Sequence, residues 1–533
     1  MFIKNLIKKI LRDINPRSNF ENILSNFRRD ILAGITVGII ALPLALAFGE
    51  MSLLGPEAGI WGAIIGGLIG GIFGGCILSI SGPTAPIASQ IAILMTGFVA
   101  STSGFYDTNA IFSIIFLSGL FTLCLSFFNI SKFIHFIPYP VISGFMCGIG
   151  IIVILSQMKS FLGIESYFMI KKFDKDILFV SIPSLFIMLF WIKIRSVVKL
   201  LKLIPAPLAT LIFGTSIAYF MNLDIVYIGD KMISSEHVNT FNIYAPDFSR
   251  FFEFFLPALT LASLVSIDSL LTCKIADNLM SSKHKSNQEL FGQGFANMIC
   301  GLFGAVSTAT ATMFTVSNIK FGAKTIISSI SYGLTLFGIL YGLKFFVASI
   351  PLACIAAILF KIGLDIMDYR MLPVVRKLPL SDIFIFITVL YITVFSDLML
   401  AVLVGTLIAL LINLRYFKTK YEHSSISISE NNFKQKYNKV LKKPAFTLKP
   451  KGPLFFGSIQ SLIKLYENQS NGDLLLIDLI DVPHVDLTSV YVLEDFIDIL
   501  CKKKVKVIFL NVNSSIKKMI YDLKLNEKFH LGL

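Results

Sequence analysis

The stretch SISGPTAPIA, residues 79–88, lies between two long apolar runs and interrupts them where hydrocarbon tolerates little broken backbone. Proline fixes φ, brings no N–H and pushes the residue before it out of the helical region, so the chain is expected to be extended as far as Thr84 or Ala85. Pro86 suits the first position of a new helix running on from Ile87. A helix that begins inside a membrane leaves backbone donors unpaired at its start, which is tolerated only where they face protein, water or a ligand. The stretch is therefore a candidate anion site.

The flanking runs belong to a chain of 533 residues, 55% hydrophobic and only 15% charged, with a mean hydropathy of +0.76. That balance is far from a soluble protein and reads as a polytopic membrane protein. The first thirty residues carry Lys4, Lys8, Lys9, Arg12, Arg17, Arg28 and Arg29 without a compact apolar core or small-residue cleavage site. No cleavable signal peptide is read there, and the segment 1–29 is expected to stay in the cytoplasm. The formal net charge of +14 is assigned to lysines and arginines on cytoplasmic ends, not to a nucleic-acid partner. The seven cysteines show no paired spacing and the six histidines no metal-ligand spacing. No catalytic constellation is found, so an enzyme is not expected.

At the ~20 residues a full span requires, roughly twelve to fourteen apolar segments can be counted between Ile31 and Leu414. They fall near 30–49, 60–77, 110–129, 138–158, 177–193, 203–221, 252–273, 289–303, 326–346, 349–364, 380–396 and 398–414. Two further segments are short and interrupted: the one opening at SGPTAPIA, and GAVSTATATMF, residues 304–314. Each is the third apolar element of its half if the chain is divided near residue 235. Paired interruptions of this kind point to a midplane binding site between inverted repeats. With the N-terminus inside, KIRSVVKLLK (193–202), KIADNLMSSKHK (274–285), IKFGAK (319–324), YRMLPVVRK (369–377) and RYFKTK (415–420) all fall on the cytoplasmic side. The loop holding Lys159, Lys171, Lys172 and Lys175 falls outside, with Glu165, Asp174 and Asp176 among its lysines.

The transporter part is bounded at 30–415, and residues 416–444 read as a polar linker with too few apolar residues for a core of its own. A compact domain is expected over 445–533. LLLIDLI (474–480) and VKVIFLNV (505–512) read as buried strands, and SIQSLIKLYEN (458–468), SVYVLEDFIDIL (489–500) and SIKKMIYDLKL (515–525) as amphipathic helices. That alternation implies a small cytoplasmic α/β domain with a mixed sheet. In the membrane part, the only carboxylate read as buried well inside a span is Asp268, with Thr272 one turn later on the same face. An ionisable group within a span is a functional candidate, because its charge is costly unless an ion, proton or partner compensates it.

GITVGIIALPLALAFG (34–49), SGPTAPIA, HKSNQELFGQGFANMICGLFGA (284–305) and IDLIDVPHVDLTS (477–489) together resemble the SulP anion transporter family with its C-terminal STAS domain. The resemblance implies a seven-plus-seven inverted repeat with core and gate domains, usually dimeric, moving its substrate by an elevator-like displacement. It also implies half-helices whose N-termini converge on a bound anion. Thr84, Ala85 and Pro86 would form one wall and Ala311, Thr312 and Met313 the other, with Phe314 and Phe48 completing the substrate contacts. Many members carry an arginine at the position of Phe314; without that charge, and with Asp268 adding a negative one, a cation would balance the site. IDSLLT (267–272), HKSN and the ATM triplet at 311–313 are similar to the cyanobacterial sodium-dependent bicarbonate transporters of the family. Sodium is then expected on Asp268, Thr272, Thr310 and Thr312, as a coupling ion; no resident cofactor is implied.

Threonine and phenylalanine at 310 and 314 replace glycines expected in that subgroup, and Leu44 stands where sulfate permeases commonly carry glutamine. Leu487 matches the usual STAS phospho-acceptor, so Asp486 or Thr488 reads as a helix N-cap instead. The reading is a sodium-coupled bicarbonate symporter of the bacterial inner membrane, a homodimer among lipids with both termini cytoplasmic. The alternatives are a proton-coupled sulfate or dicarboxylate carrier, an anion exchanger, and a membrane-tethered STAS signalling protein.

Overall fold

The computed structural model describes residues 16–525, apart from 21–22, 99–106, 128–137, 164–173, 198–203, 231–242, 281–283, 418–421, 429–444, 503–504, most of 368–376, parts of 456–473 and a few single positions. The first fifteen residues, the loop with Lys171 and Lys172, and most of the helix expected at 458–468 lie outside the described residues. The chain divides into two compact units, one of residues 1–131 and 149–366, the other of residues 132–148 and 367–533.

Helices α1 (Phe27–Met51), α2 (Pro56–Phe73), α4 (Thr108–Phe127), α5 (Tyr139–Leu162) and α8 (Phe251–Asp277 within Phe251–Met280) are long and apolar enough to cross a membrane. Further helical segments are α6 (Lys175–Val197), α7 (Ala206–Phe220), α9 (Ser286–Leu302), α11 (Ile327–Gly342), α12 (Leu352–Ile366), α13 (Leu380–Phe395) and α14 (Leu398–Phe417). These fall on the spans read from the sequence. Between them stand the two short exceptions, α3 (Ala85–Gly97) and α10 (Thr312–Lys320), each preceded by a two-residue strand, β1 (Ser81–Gly82) and β2 (Ala309–Thr310). Large apolar side chains left exposed on α6, α7, α13 and α14, such as Phe186, Phe213, Phe384 and Leu407, are what a helix surface in contact with lipid requires.

In the first unit α4 lies against α9 with almost no side chain between them. A Cβ on Gly294 would stand 2.6 Å from the backbone nitrogen of Leu123, and one on Gly119 would stand 2.4 Å from that of Met298. Small residues at these positions let the backbones meet, a packing mode that replaces the hydrophobic drive missing in lipid. α2 passes through a π-helical turn at Gly66–Gly70. That turn seats β1: a Cβ on Gly66 would lie 3.0 Å from the Ser81 carbonyl oxygen.

In the second unit the strands β3 (Glu422–Ile428), β4 (Ala445–Lys451), β5 (Leu474–Asp478) and β6 (Lys506–Leu510) form a sheet in that order. β3 runs antiparallel to β4, while β4–β5 and β5–β6 are parallel. The mixed sheet follows the alternation in the sequence, with helices α15 (Leu487–Lys502) and α16 (Ser514–Asp522). One boundary differs. Residues 422–428 were expected to be linker, yet they pair with β4 along its whole length; an edge strand draws its stability from backbone pairing and needs few apolar side chains. Leu448, Ile477, Val490, Ile497 and Phe509 form a core that continues into Leu378 and Phe386 of the α13 region and Cys147 of α5.

Candidate functional site

The interrupted segments meet each other. β1 and β2 pair antiparallel, Ser81 opposite Thr310 and Gly82 opposite Ala309, and the N–H of Ala311 donates to the carbonyl of Ile80 at 2.9 Å. Antiparallel strands send the helices that follow them in opposite directions, so the N-termini of α3 and α10 are left at the crossing. α3 begins at Ala85, one residue before Pro86. Its N-cap, Thr84, is extended and makes no side-chain cap; the N-cap of α10, Ala311, is extended too and has no side chain with which to cap. Neither helix therefore satisfies its first-turn donors with its own cap residue, and each start carries the positive end of a helix dipole.

One face of α8 fastens both starts. The Thr84 hydroxyl donates to Asp268 Oδ2 at 2.7 Å, the Thr310 N–H donates to Ser269 Oγ at 3.1 Å, and the hydroxyls of Thr272 and Thr312 are 2.6 Å apart. Positions 268, 269 and 272 share a helix face by their spacing. Asp268 is partly buried and Thr272 fully buried. The arrangement gathers a carboxylate and four hydroxyls beside two helix N-termini.

The remaining residues singled out in the sequence take distinct places. Ala85, Pro86 and Ala311 are buried at the helix starts, and Met313 is half exposed. Phe314 is buried with its ring 6.1 Å from that of Tyr332, and one of its ring carbons would stand 3.4 Å from a Cβ on Gly82. Phe48 is buried in α1. The Thr310 hydroxyl donates to Glu289 Oε1 and lies 2.9 Å from Gln293 Nε2, so its side chain is committed to α9. A cavity of about 800 Å³ runs beside α3, reaching from Ser89 and Thr96 to Gln157 and Lys159 near the end of α5.

One expectation needs correction. Asp268, itself only partly buried, is not the only carboxylate enclosed in the spans: Glu289 and Asp30 are fully buried. Asp30 accepts the Lys324 N–H at 2.7 Å and the Thr325 hydroxyl at 2.6 Å, and Glu289 accepts from backbone and side-chain donors described below. Both sit in the first turn of their helices, where a carboxylate in sequence reads as a membrane-surface residue. Ser269 and Gln293 also escaped the sequence reading. The i, i+4 pairing of Glu289 with Gln293 within the segment was the available signal.

In the α/β domain, the N-cap of α15 is made by Asp486, whose Oδ1 accepts the Ser489 N–H at 2.7 Å. The Thr488 hydroxyl accepts the N–H of Tyr139, the first residue of α5, at 2.9 Å. The Tyr139 and Tyr491 rings lie 4.4 Å apart.

Residues 27–389 match the sulfate permease family, and residues 436–533 match the STAS domain. The chain is 31% identical over 526 residues to the bicarbonate transporter BicA of Picosynechococcus sp., covering 94% of this chain and 91% of that protein. It is 27% identical over 528 residues to the putative sulfate transporter YvdB of Bacillus subtilis, covering 95% of each. Among solved structures, the transmembrane domain of a cyanobacterium bicarbonate transporter BicA superposes with a TM-score of 0.63 at 32% identity, covering 71% of this chain and 97% of that one. The overall structure of SLC26A9, at 17% identity and a TM-score of 0.66, covers 98% of this chain and 92% of that one, and shares the fold. The chain belongs to the sulfate permease (SulP) family: it is a multi-pass membrane transporter of anions, not an enzyme, and it ends in a STAS domain.

Proposed function

We propose that the protein takes up bicarbonate together with sodium, as a homodimer of the bacterial inner membrane with both termini in the cytoplasm. The observation that carries the reading is the convergence of two uncapped helix N-termini on the Asp268 face of α8. Each terminus is worth about half a positive charge, so the pair offers about one. That suits a monovalent anion. Phe314 stands where an arginine would add another charge, and a divalent anion would leave the site negative. Asp268 brings its own negative charge, which one sodium ion balances.

The oxygens suited to a small hard cation are those of Asp268, Thr272 and Thr312. The Thr310 hydroxyl is engaged with Glu289, so Thr310 enters the proposed cation site only through its backbone. Thr84, Ala85, Pro86, Ala311 and Met313 form the walls around the anion, with Phe314 and Phe48 packed behind them. The name of the BicA relatives supports the choice of anion. An elevator-like movement would carry the α3–α8–α10 assembly with its ions as one body, because α8 is hydrogen-bonded to both helix starts.

The test is uptake of labelled bicarbonate, sulfate and fumarate into proteoliposomes, with and without an inward sodium gradient at clamped pH. Bicarbonate uptake that needs sodium is the expected outcome. Sodium-independent sulfate or fumarate uptake that follows a proton gradient would replace the reading with a proton-coupled carrier in which Asp268 takes the proton.

A further inference from the structure

We infer that Glu289 is a positioning residue of the anion site: its carboxylate, standing behind the helix starts, fixes the strand pair from which both half-helices leave. The inference rests on reading the gap between α3 and α10 as the anion site. Glu289 lies in the first turn of α9 and is fully buried. Its Oε2 accepts the N–H groups of Gly75 at 2.8 Å and Cys76 at 2.9 Å, which fastens the turn after α2. Its Oε1 accepts the Thr310 hydroxyl and lies 3.1 Å from Gln293 Nε2. Gln293 is one helical turn further on. Its amide nitrogen also reaches Ser81 Oγ at 2.6 Å and Thr310 Oγ1 at 2.9 Å.

Ser81 and Thr310 are facing residues of the β1–β2 pair. The carboxylate and its neighbouring amide thus hold both strands at the same rung. Thr84, the N-cap of α3, follows Ser81 by three residues, and Ala311, the N-cap of α10, follows Thr310 directly. Side chains on the two strands are the unit by which such a pair is stabilised, and this pair has only two residues in each strand. A shift of the rung would move both sets of N–H donors relative to the anion.

An ionised carboxylate only accepts, with room for about four hydrogen bonds. Four donors are present here, two backbone and two side-chain. A glutamine in its place would put an NH2 group against either the two backbone N–H groups or the Thr310 and Gln293 donors. Donor would then meet donor on one side of the network, while size and shape stay the same.

The experiment uses the full chain carrying Glu289→Gln. Half-saturating bicarbonate should rise about tenfold, as expected for losing hydrogen bonds to a charged group. The maximal rate and the gel-filtration profile should change little. Hydrogen–deuterium exchange should accelerate in peptides covering 80–88 and 309–316 and stay unchanged across α11. The double variant Glu289→Gln with Gln293→Glu should recover both readouts, because the new amide can accept the two backbone N–H groups and donate to the relocated carboxylate. Unchanged exchange in the two peptides overturns the inference whatever the substrate proves to be. A lowered unfolding temperature with unchanged half-saturation reduces Glu289 to a structural residue and also overturns it. If Glu289→Gln does not fold, Thr310→Val should accelerate exchange in both peptides while Thr310→Ser does not, and equal behaviour of the two is the overturning result. Absence of bicarbonate uptake in the native protein would sink the proposed function alone, since the exchange experiment needs no substrate.

Discussion

Asp268 accepts the hydroxyl of Thr84 and stands one turn from Thr272, whose hydroxyl meets that of Thr312. If sodium is held by Asp268, the change Asp268→Asn removes the compensating charge and abolishes sodium-stimulated uptake, since an amide of similar shape cannot neutralise the ion. Thr272→Ala removes a single oxygen and leaves the charge. Half-saturating sodium should then rise about fivefold, the size of ~1 kcal/mol. Uptake titrated against sodium at clamped pH measures both, and native-like sodium dependence in Asp268→Asn would remove the ion from this carboxylate. At this scale the sequence was partly legible. Asp268 stood out because it lies mid-span, where a charge has no cheap explanation. Glu289 did not, because a first-turn carboxylate is ordinary at a membrane surface; only the approach of Gly75, Cys76 and Thr310 makes it a buried one. Those partners are far away in sequence, and no local pattern encodes them.

The elements themselves were easier to read, since twenty apolar residues in a row leave few alternatives to a spanning helix. The two interruptions were legible for the opposite reason: Pro83 and Pro86 forbid a continuous helix, and the second segment has no long apolar run. What the sequence could not show is that the residues before each helix pair as strands, because a two-residue ladder carries no periodicity. The glycines between α4 and α9 were likewise silent, as glycine in a span reads equally as packing or as a kink. The structure separates these cases and makes a prediction. In Gly294→Ala the new methyl would meet the Leu123 backbone nitrogen at 2.6 Å, and backbone cannot rotate away. The helices must part, at a cost of about 1–3 kcal/mol. Gly338 of α11 has nothing within 4 Å of the same position, so Gly338→Ala should be neutral or stabilising by up to about 1 kcal/mol. Thermal unfolding of both variants in detergent reads the contrast, and equal shifts would show that α4 and α9 are not in backbone contact.

On the scale of the whole chain, the STAS domain is tied to the membrane helices with which it shares a compact unit, residues 132–148 and 367–533. Thr488 accepts the first N–H of α5, a donor that no residue of that helix can satisfy. The Tyr139 and Tyr491 rings meet at a tilt beside it, and the domain's apolar core runs on to Phe386 and Leu378. None of these contacts touches Asp268 or the starts of α3 and α10. The domain should therefore act on the helices α5 and α13 and not on the proposed ion site. Removing residues 421–533 leaves the α5 start without its acceptor and exposes apolar surface that the domain covers. The expected result is sodium-dependent uptake at a turnover reduced severalfold, with half-saturating anion and sodium concentrations unchanged. Thr488→Val keeps the shape of the side chain and deletes only the hydroxyl, so it should shift turnover in the same direction by a smaller factor, consistent with one hydrogen bond of about 1 kcal/mol. Uptake kinetics of the two variants, normalised to folded protein in the vesicles, decide the matter. A changed half-saturation with preserved turnover would mean that the domain reaches the ion site, and identical kinetics in all three proteins would mean that the tie at Tyr139 has no part in transport.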